Sequence, residues 1–199
     1  MEFLHAIIVL SNFVIIPAIA YGSQLALGAL GVTLVYGILR FSNFAHGDTM
    51  AFGTMVAILF TWWFQSIGVS IAPLPTALLA LPLAIALTAL LLLGTDRVVL
   101  RFYRKQKSAP VILLIVSLGI MFVYNGLVRF IIGVGDQRFS DGARFIISAR
   151  DFKKLTGLDE GLAIKTTQVI TVITAVLVVA LLFWFLNRTR TGKSMRAFS

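Results

Sequence analysis

TALLALPLAIALTALLLL, running from Thr76 to Leu93, is charge-free, and the run without Asp, Glu, Lys or Arg extends in both directions from Thr49 to Thr95. A helix rises about 1.5 Å per residue and a bilayer core of about 30 Å needs about 20 residues, so this stretch predicts two membrane-crossing helices. Phe3–Leu39, Ser108–Leu127 and Thr166–Asn187 are equally free of charge. The expectation is therefore an all-α membrane protein, a polytopic transmembrane helix bundle.

Composition points the same way. The chain has 199 residues, 59% hydrophobic and 13% charged, with a mean hydropathy of +0.96, which excludes an ordinary soluble fold. Such hydrophobicity also excludes disorder. With no cysteine there is no disulfide framework, thiolate metal site or cysteine nucleophile, and the redox compartment is unreadable.

The clearest spans are Thr49–Phe64, Thr76–Leu93, Pro110–Val128 and Thr166–Leu186. Trp62, Trp63 and Trp184 mark span ends, as amphipathic rings at headgroup level do. Gly68, Pro73 and Pro75 make Ser66–Pro75 a turn, and Ser108 before Pro110 reads as a helix start. Phe3–Leu39 is long for one upright helix, and Pro17 with Tyr21–Gln24 marks the plausible break. Tyr21–Ile38 is read as a span, and Phe3–Ala20 as a span or a surface-lying helix, giving five or six membrane segments. Without a Lys or Arg near the N-terminus the start does not read as a secretory signal.

Lys and Arg number 17 against 8 Asp and Glu, a formal charge of +9. Segregated between spans, these charges report orientation rather than a nucleic-acid partner. Arg40, the Arg97–Lys107 group and the Arg188–Arg196 group fall on one side, and their density places them in the cytoplasm. Residues 133–165 form an external polar loop with charges of both signs and the apolar Phe145-Ile146-Ile147, either a solvated face or a docking surface.

Three features bear on function. Gly22, Ala26, Ala29, Thr33 and Gly37 recur every three or four residues, a face suited to close helix packing or to lining a path. Arg40-Phe41-Ser42-Asn43-Phe44-Ala45-His46-Gly47-Asp48 is too aromatic for a solvated loop and too polar for a lipid-facing helix. Polar, non-helical backbone at membrane depth is tolerated when it is enclosed by protein or lines a watery cavity, as in the broken helices of transporters. The alternative is a tight connection whose Asn43 or Asp48 caps the next helix. His46 and Asp48 by themselves are short of a metal-ligand set, so the metal expectation is none. Lastly, Arg190-Thr191-Gly192-Lys193-Ser194 resembles part of a phosphate-binding loop but follows a span rather than a strand, and Asn187-Arg188-Thr189 matches a glycosylation acceptor on the cytoplasmic side. A basic cluster there is an orientation signal or lipid anchor.

Gly31-Val32-Thr33-Leu34-Val35-Tyr36-Gly37-Ile38 followed by Asn43-Phe44-Ala45-His46-Gly47-Asp48 resembles the inner-membrane permeases of branched-chain amino-acid ABC importers. The likeness continues through Asp96-Arg97-Val98 and through Arg190-Thr191-Gly192 to Arg196-Ala197. It implies one permease domain over 1–199 working with a second permease, two cytoplasmic ATPases and an external solute-binding protein in a bacterial inner membrane. ATP and Mg would belong to the ATPases, with no cofactor on this chain and no enzymatic role. Asn43, His46, Gly47 and Asp48 would lie by the translocation path, and Arg190, Gly192 and Arg196 would open the ATPase-coupling region at 187–199. The resemblance also implies that the chain stops at Ser199 short of the family's full length, and that residues before Phe13 extend its usual start. The rival from another class is a passive channel or structural membrane subunit. Leucine, isoleucine or valine are not distinguished from amides or urea.

Overall fold

A computed structural model describes residues 2–69, 75–137, 145–156 and 161–198. Helix α1, Glu2–Leu10, runs through a π-helical segment, Ser11–Ile15, into α2, Ile16–Leu39. The break expected at Tyr21–Gln24 is absent. Pro17 lacks an N–H and its ring crowds the carbonyl four residues back, and the wide π turns just before it accommodate this. Ser23 returns its hydroxyl to Ile19 O at 2.8 Å, so a residue that would favour a turn in water is satisfied inside the helix.

Next come α3 (His46–Ser66), α4 (Ala77–Thr95), a second π-helical segment (Asp96–Leu100), α5 (Arg101–Lys105) and α6 (Pro110–Ile132). After them lie β1 (Phe145–Ile147), α7 (Ala149–Thr156), β2 (Ile164–Lys165), α8 (Thr166–Arg188) and α9 (Arg190–Phe198). Pro110 stands at the first position of α6 as expected, but the N-cap is Ala109 and not Ser108, because an extended residue must precede the proline. To the mostly helical bundle the structure adds a small antiparallel ribbon, Phe145 opposite Lys165 and Ile147 opposite Ile164. It falls within the 133–165 loop, of which 138–144 and 157–160 lie outside the described residues.

Among the described residues four helical stretches are long and apolar enough to cross a membrane: His5–Ile38, Ala77–Lys105, Pro110–Ile132 and Thr166–Arg188. The expected five or six included α3, which has the length, 21 residues, but not the apolarity. His46, Asp48, Gln65 and three threonines dilute it. Burial accounts for part of the difference: Thr49, Phe52, Met55, Val56, Ile58 and Thr61 are enclosed, so one face of α3 meets protein rather than lipid.

The chain divides into two compact units, Gly31–Asp141 and Met1–Leu30 with Gly142–Phe198. In the first, α3 packs on α4 and α6. Phe52, Met55 and Val56 meet Ala84 in one cluster, and Phe41, Ala45, Leu100, Leu113, Ile120 and Tyr124 form another. A Cβ on Gly53 would stand 3.1 Å from Thr88 Oγ1, and Ala80, Ala84 and Thr88 recur every four residues along α4. Lipid supplies no hydrophobic force between helices, so this close approach through small residues is what binds α3 to α4. Thr61 and Thr88 donate to Ala57 O and Ala84 O at 2.7 Å, which keeps their hydroxyls satisfied within the helix. Beyond α4, Asp96 pairs with Arg104 at 2.6 Å across the π segment.

In the second unit Asn12, within the first π segment, donates through Nδ2 to Gly161 O at 3.5 Å and accepts at Oδ1 from Ala163 N at 3.2 Å.

Candidate functional site

Helix α2 stops because Arg40 takes φ +57°, a left-handed turn that still donates its N–H to Tyr36 O at 2.9 Å. The turn throws Phe41 inward to 4% exposure. Asn43 then shapes the reversal, its Oδ1 accepting from Ala45 N at 3.1 Å and its carbonyl accepting from His46 N at 3.3 Å. Helix α3 begins at His46, earlier than the expected Thr49, with Ala45 as an N-cap that has no side-chain bond. The capping alternative is thereby refined: Asn43 folds the turn before the helix, and Asp48 lies in the first turn, where the helix dipole favours a negative charge.

Asp48 reaches α6. Its Oδ1 accepts from Asn125 Nδ2 at 2.9 Å, a bond between residues 77 positions apart. Phe44 N donates to Ser117 Oγ at 3.2 Å, and Ser117, fully buried, passes its own proton to Leu114 O at 2.7 Å. Farther along α6, Thr95 donates to Leu91 O, so its single proton is used and Tyr124 OH donates to Thr95 Oγ1. Leu113, Ser117, Ile120 and Tyr124 are the buried face of α6, spaced at helical period, with Asn125 next to it.

His46 faces α2. A Cβ built on Gly31 would stand 2.6 Å from His46 Nε2 and 2.8 Å from Cε1, so the imidazole occupies the space that only glycine leaves. The two sequence motifs, Gly31–Ile38 and Asn43–Asp48, therefore touch through their first and fourth residues. Gly47 is exposed, with nothing within 4 Å of where its Cβ would lie. No group of three or more His, Cys, Asp or Glu comes together among the described residues.

The structure thus sets His46 against α2 at Gly31 and Asp48 against α6 at Asn125, with Asn43 in the turn that leads into α3. Ser117, Tyr124 and Asn125, the polar residues of α6 that meet Phe44, Thr95 and Asp48, were not singled out in the sequence. Their signal was present: polar residues in an otherwise lipid-like span face protein or water.

The other candidates stand apart. Gly22, Ala26, Ala29 and Thr33 are exposed along α2, and nothing lies within 4 Å of a Cβ on Gly22 or Gly37. Arg190, Gly192 and Arg196 all fall on α9. There Thr189 is extended between two helices, its Oγ1 donating to Phe185 O at 2.7 Å and accepting from Gly192 N at 3.0 Å. Gly192 is buried against α8, where a Cβ would stand 2.7 Å from Leu186 Cα. Arg190 is exposed.

Residues 14–199 match the family described as branched-chain amino acid transport system / permease component. The chain belongs to this permease family. Similar members include the high-affinity branched-chain amino acid transport system permease protein BraD of Pseudomonas aeruginosa, 27% identical over 184 residues. That alignment covers 92% of this chain and 57% of BraD. LivH of Salmonella typhimurium, a permease protein of the same description, is 27% identical over 182 residues, covering 90% of this chain and 56% of LivH. The chain thus spans little more than half the length of these relatives. No solved structure matches. Both permease motifs and the α8–α9 elbow lie inside the matched range, and α1 lies before it.

Proposed function

We propose that this permease-family chain forms part of the membrane path of an ATP-coupled importer of branched-chain amino acids in a bacterial inner membrane. The carrying observation is that the polar start of α3 is held by two neighbouring helices, His46 abutting Gly31 and Asp48 accepting from Asn125. A zwitterion crossing a low-dielectric layer needs polar partners, since ionic groups left unpaired cost many kcal/mol. The start of α3 offers a carboxylate and an imidazole, and α6 an amide and hydroxyls. In this reading α3 crosses the membrane packed on α4 and α6 and carries His46 and Asp48 at its N-terminal end.

ATP hydrolysis belongs to partner ATPases, which can drive transport only by favouring one access state over another. A second permease and an external solute-binding protein complete the assembly. The α8–α9 elbow, closed by Thr189 and Gly192, is the element through which an ATPase would move this chain, with the exposed Arg190 at its start. The reading is supported by the family membership and by the presence of both motifs in contact. The experiment is leucine uptake by the full-length permease, reconstituted with its partner permease, ATPases and binding protein. His46→Leu and Asn125→Leu should insert normally and lower uptake; wild-type rates for both would refute a role for these residues.

A further inference from the structure

We propose that β1 and α7 lie on the membrane surface, with Phe145 and Ile146 set into the bilayer interface and Arg150, Lys153 and Lys154 against phospholipid phosphates. The proposal rests on the membrane placement of α1 and α8 and is independent of what the chain transports.

Depth is fixed twice. Lys165 ends β2 and immediately precedes Thr166, the first residue of the apolar α8, so the ribbon begins where that helix enters lipid. On the opposite flank Asn12 holds Gly161 and Ala163 by two hydrogen bonds. Asn12 is not at a watery helix end, because α1 before it is apolar and exposes Ile7, Val9 and Leu10, while Phe13 just after it is 72% exposed. A segment pinned at that level is held at headgroup depth. A third contact locks it: Gly161 closes on Ala149, where a Cβ would meet the Ala149 Cα at 2.9 Å.

The surface so held is amphipathic. Phe145 and Ile146 are 43% and 56% exposed, an apolar edge that water would not favour. Arg150, Lys153 and Lys154 are exposed at positions i, i+3 and i+4 of α7, one face of the helix, with Phe152 half-buried on the other. Exposed aromatic and aliphatic groups beside a row of cations are the pattern of a helix lying in the plane of an interface, where apolar groups enter the acyl boundary and cations meet phosphates. Charge complementarity and continuity with α8 favour lipid over a protein partner.

The chain has no cysteine, so single nitroxide labels can be placed without background. Ile146→Cys and, separately, Phe145→Cys would be labelled in the full chain in phosphatidylethanolamine and phosphatidylglycerol vesicles, with Gln106→Cys as the aqueous reference. The ratio of collision with oxygen to collision with a water-soluble nickel chelate should be several-fold higher at 146 and 145 than at 106. It should fall towards the reference when Lys153→Gln and Lys154→Gln are combined, or when phosphatidylglycerol is replaced by phosphatidylcholine. Ratios at 145 and 146 equal to that at 106 would overturn the proposal. So would shielding of both labels from the nickel chelate that arises only after an external solute-binding protein is added, which would assign this surface to a protein.

Discussion

The imidazole of His46 lies against the bare backbone of Gly31, with room for no side-chain atom between them: a Cβ there would be 2.6 Å from Nε2. One residue thus sets the contact between the end of α2 and the start of α3. Gly31→Ala must push the ring aside, an overpacking cost of about 1 to 3 kcal/mol. It should lower the thermal midpoint of the purified protein and reduce uptake in the reconstituted importer. His46→Ala in the same chain should restore part of the stability, and a double-mutant cycle reads the coupling. Strict additivity of the two changes would show that the contact carries no energy.

Asn125→Ala removes the donor to Asp48 Oδ1 and leaves a carboxylate without this partner beneath α6. Hydrogen bonds to charged groups contribute about 1.5 to 3 kcal/mol, and both residues are partly exposed, so the expected loss is near the lower end. Asp48→Asn, which keeps an acceptor, should be milder. Thermal unfolding in detergent measures both, and equal stability of Asn125→Ala and wild type would dismiss the bond as incidental.

Ser117→Ala removes the buried hydroxyl that accepts from the part-buried N–H of Phe44. An unsatisfied buried donor costs about 1 to 3 kcal/mol. Hydrogen exchange at the Phe44 amide should speed up in Ser117→Ala and stay slow in Ser117→Thr, which keeps the hydroxyl.

Gly192→Ala drives a methyl group into the backbone of α8 at Leu186, so α9 should swing away. Insertion should be unaffected, while ATPase co-purification and ATP-dependent uptake are lost. Arg190→Ala, exposed, should cost about 0 to 1 kcal/mol of any interface and leave most uptake intact. The reverse order of severity would assign coupling to charge rather than to the shape of the elbow.

Cysteines at Gln106 and Ser194 should react with an impermeant reagent only from the cytoplasmic side, because Lys and Arg crowd both segments. Labelling of either from outside would invert the topology.

The helices that face lipid were legible because lipid imposes one rule, a long run without charge: α4, α6 and α8 appear within a few residues of their expected bounds. The same rule found Thr49–Phe64 within α3, and missed only the first turn from His46, where the polar run ending at Asp48 masks the helix start. Pro17 and Gly22-Ser23 read as a break by rules learned in water; at membrane depth an interrupted helix leaves carbonyls unsatisfied, and keeping the helix through a π turn is cheaper. In the site, Asn43, His46 and Asp48 stood out because polar residues were trapped between apolar runs. Asn125 did not, since its role depends on a partner 77 residues away that only the packing of α3 on α6 supplies.

The enclosure of α3 has a consequence for biogenesis. Its apolarity falls below that of the four other long helical stretches, and during synthesis it emerges before α4 and α6, the helices that shelter it. A helix that lipid accepts poorly cannot settle in the bilayer as an independent unit. On the proposal that α3 crosses the membrane, it would enter best as a pair with α4, Gly53 against Thr88.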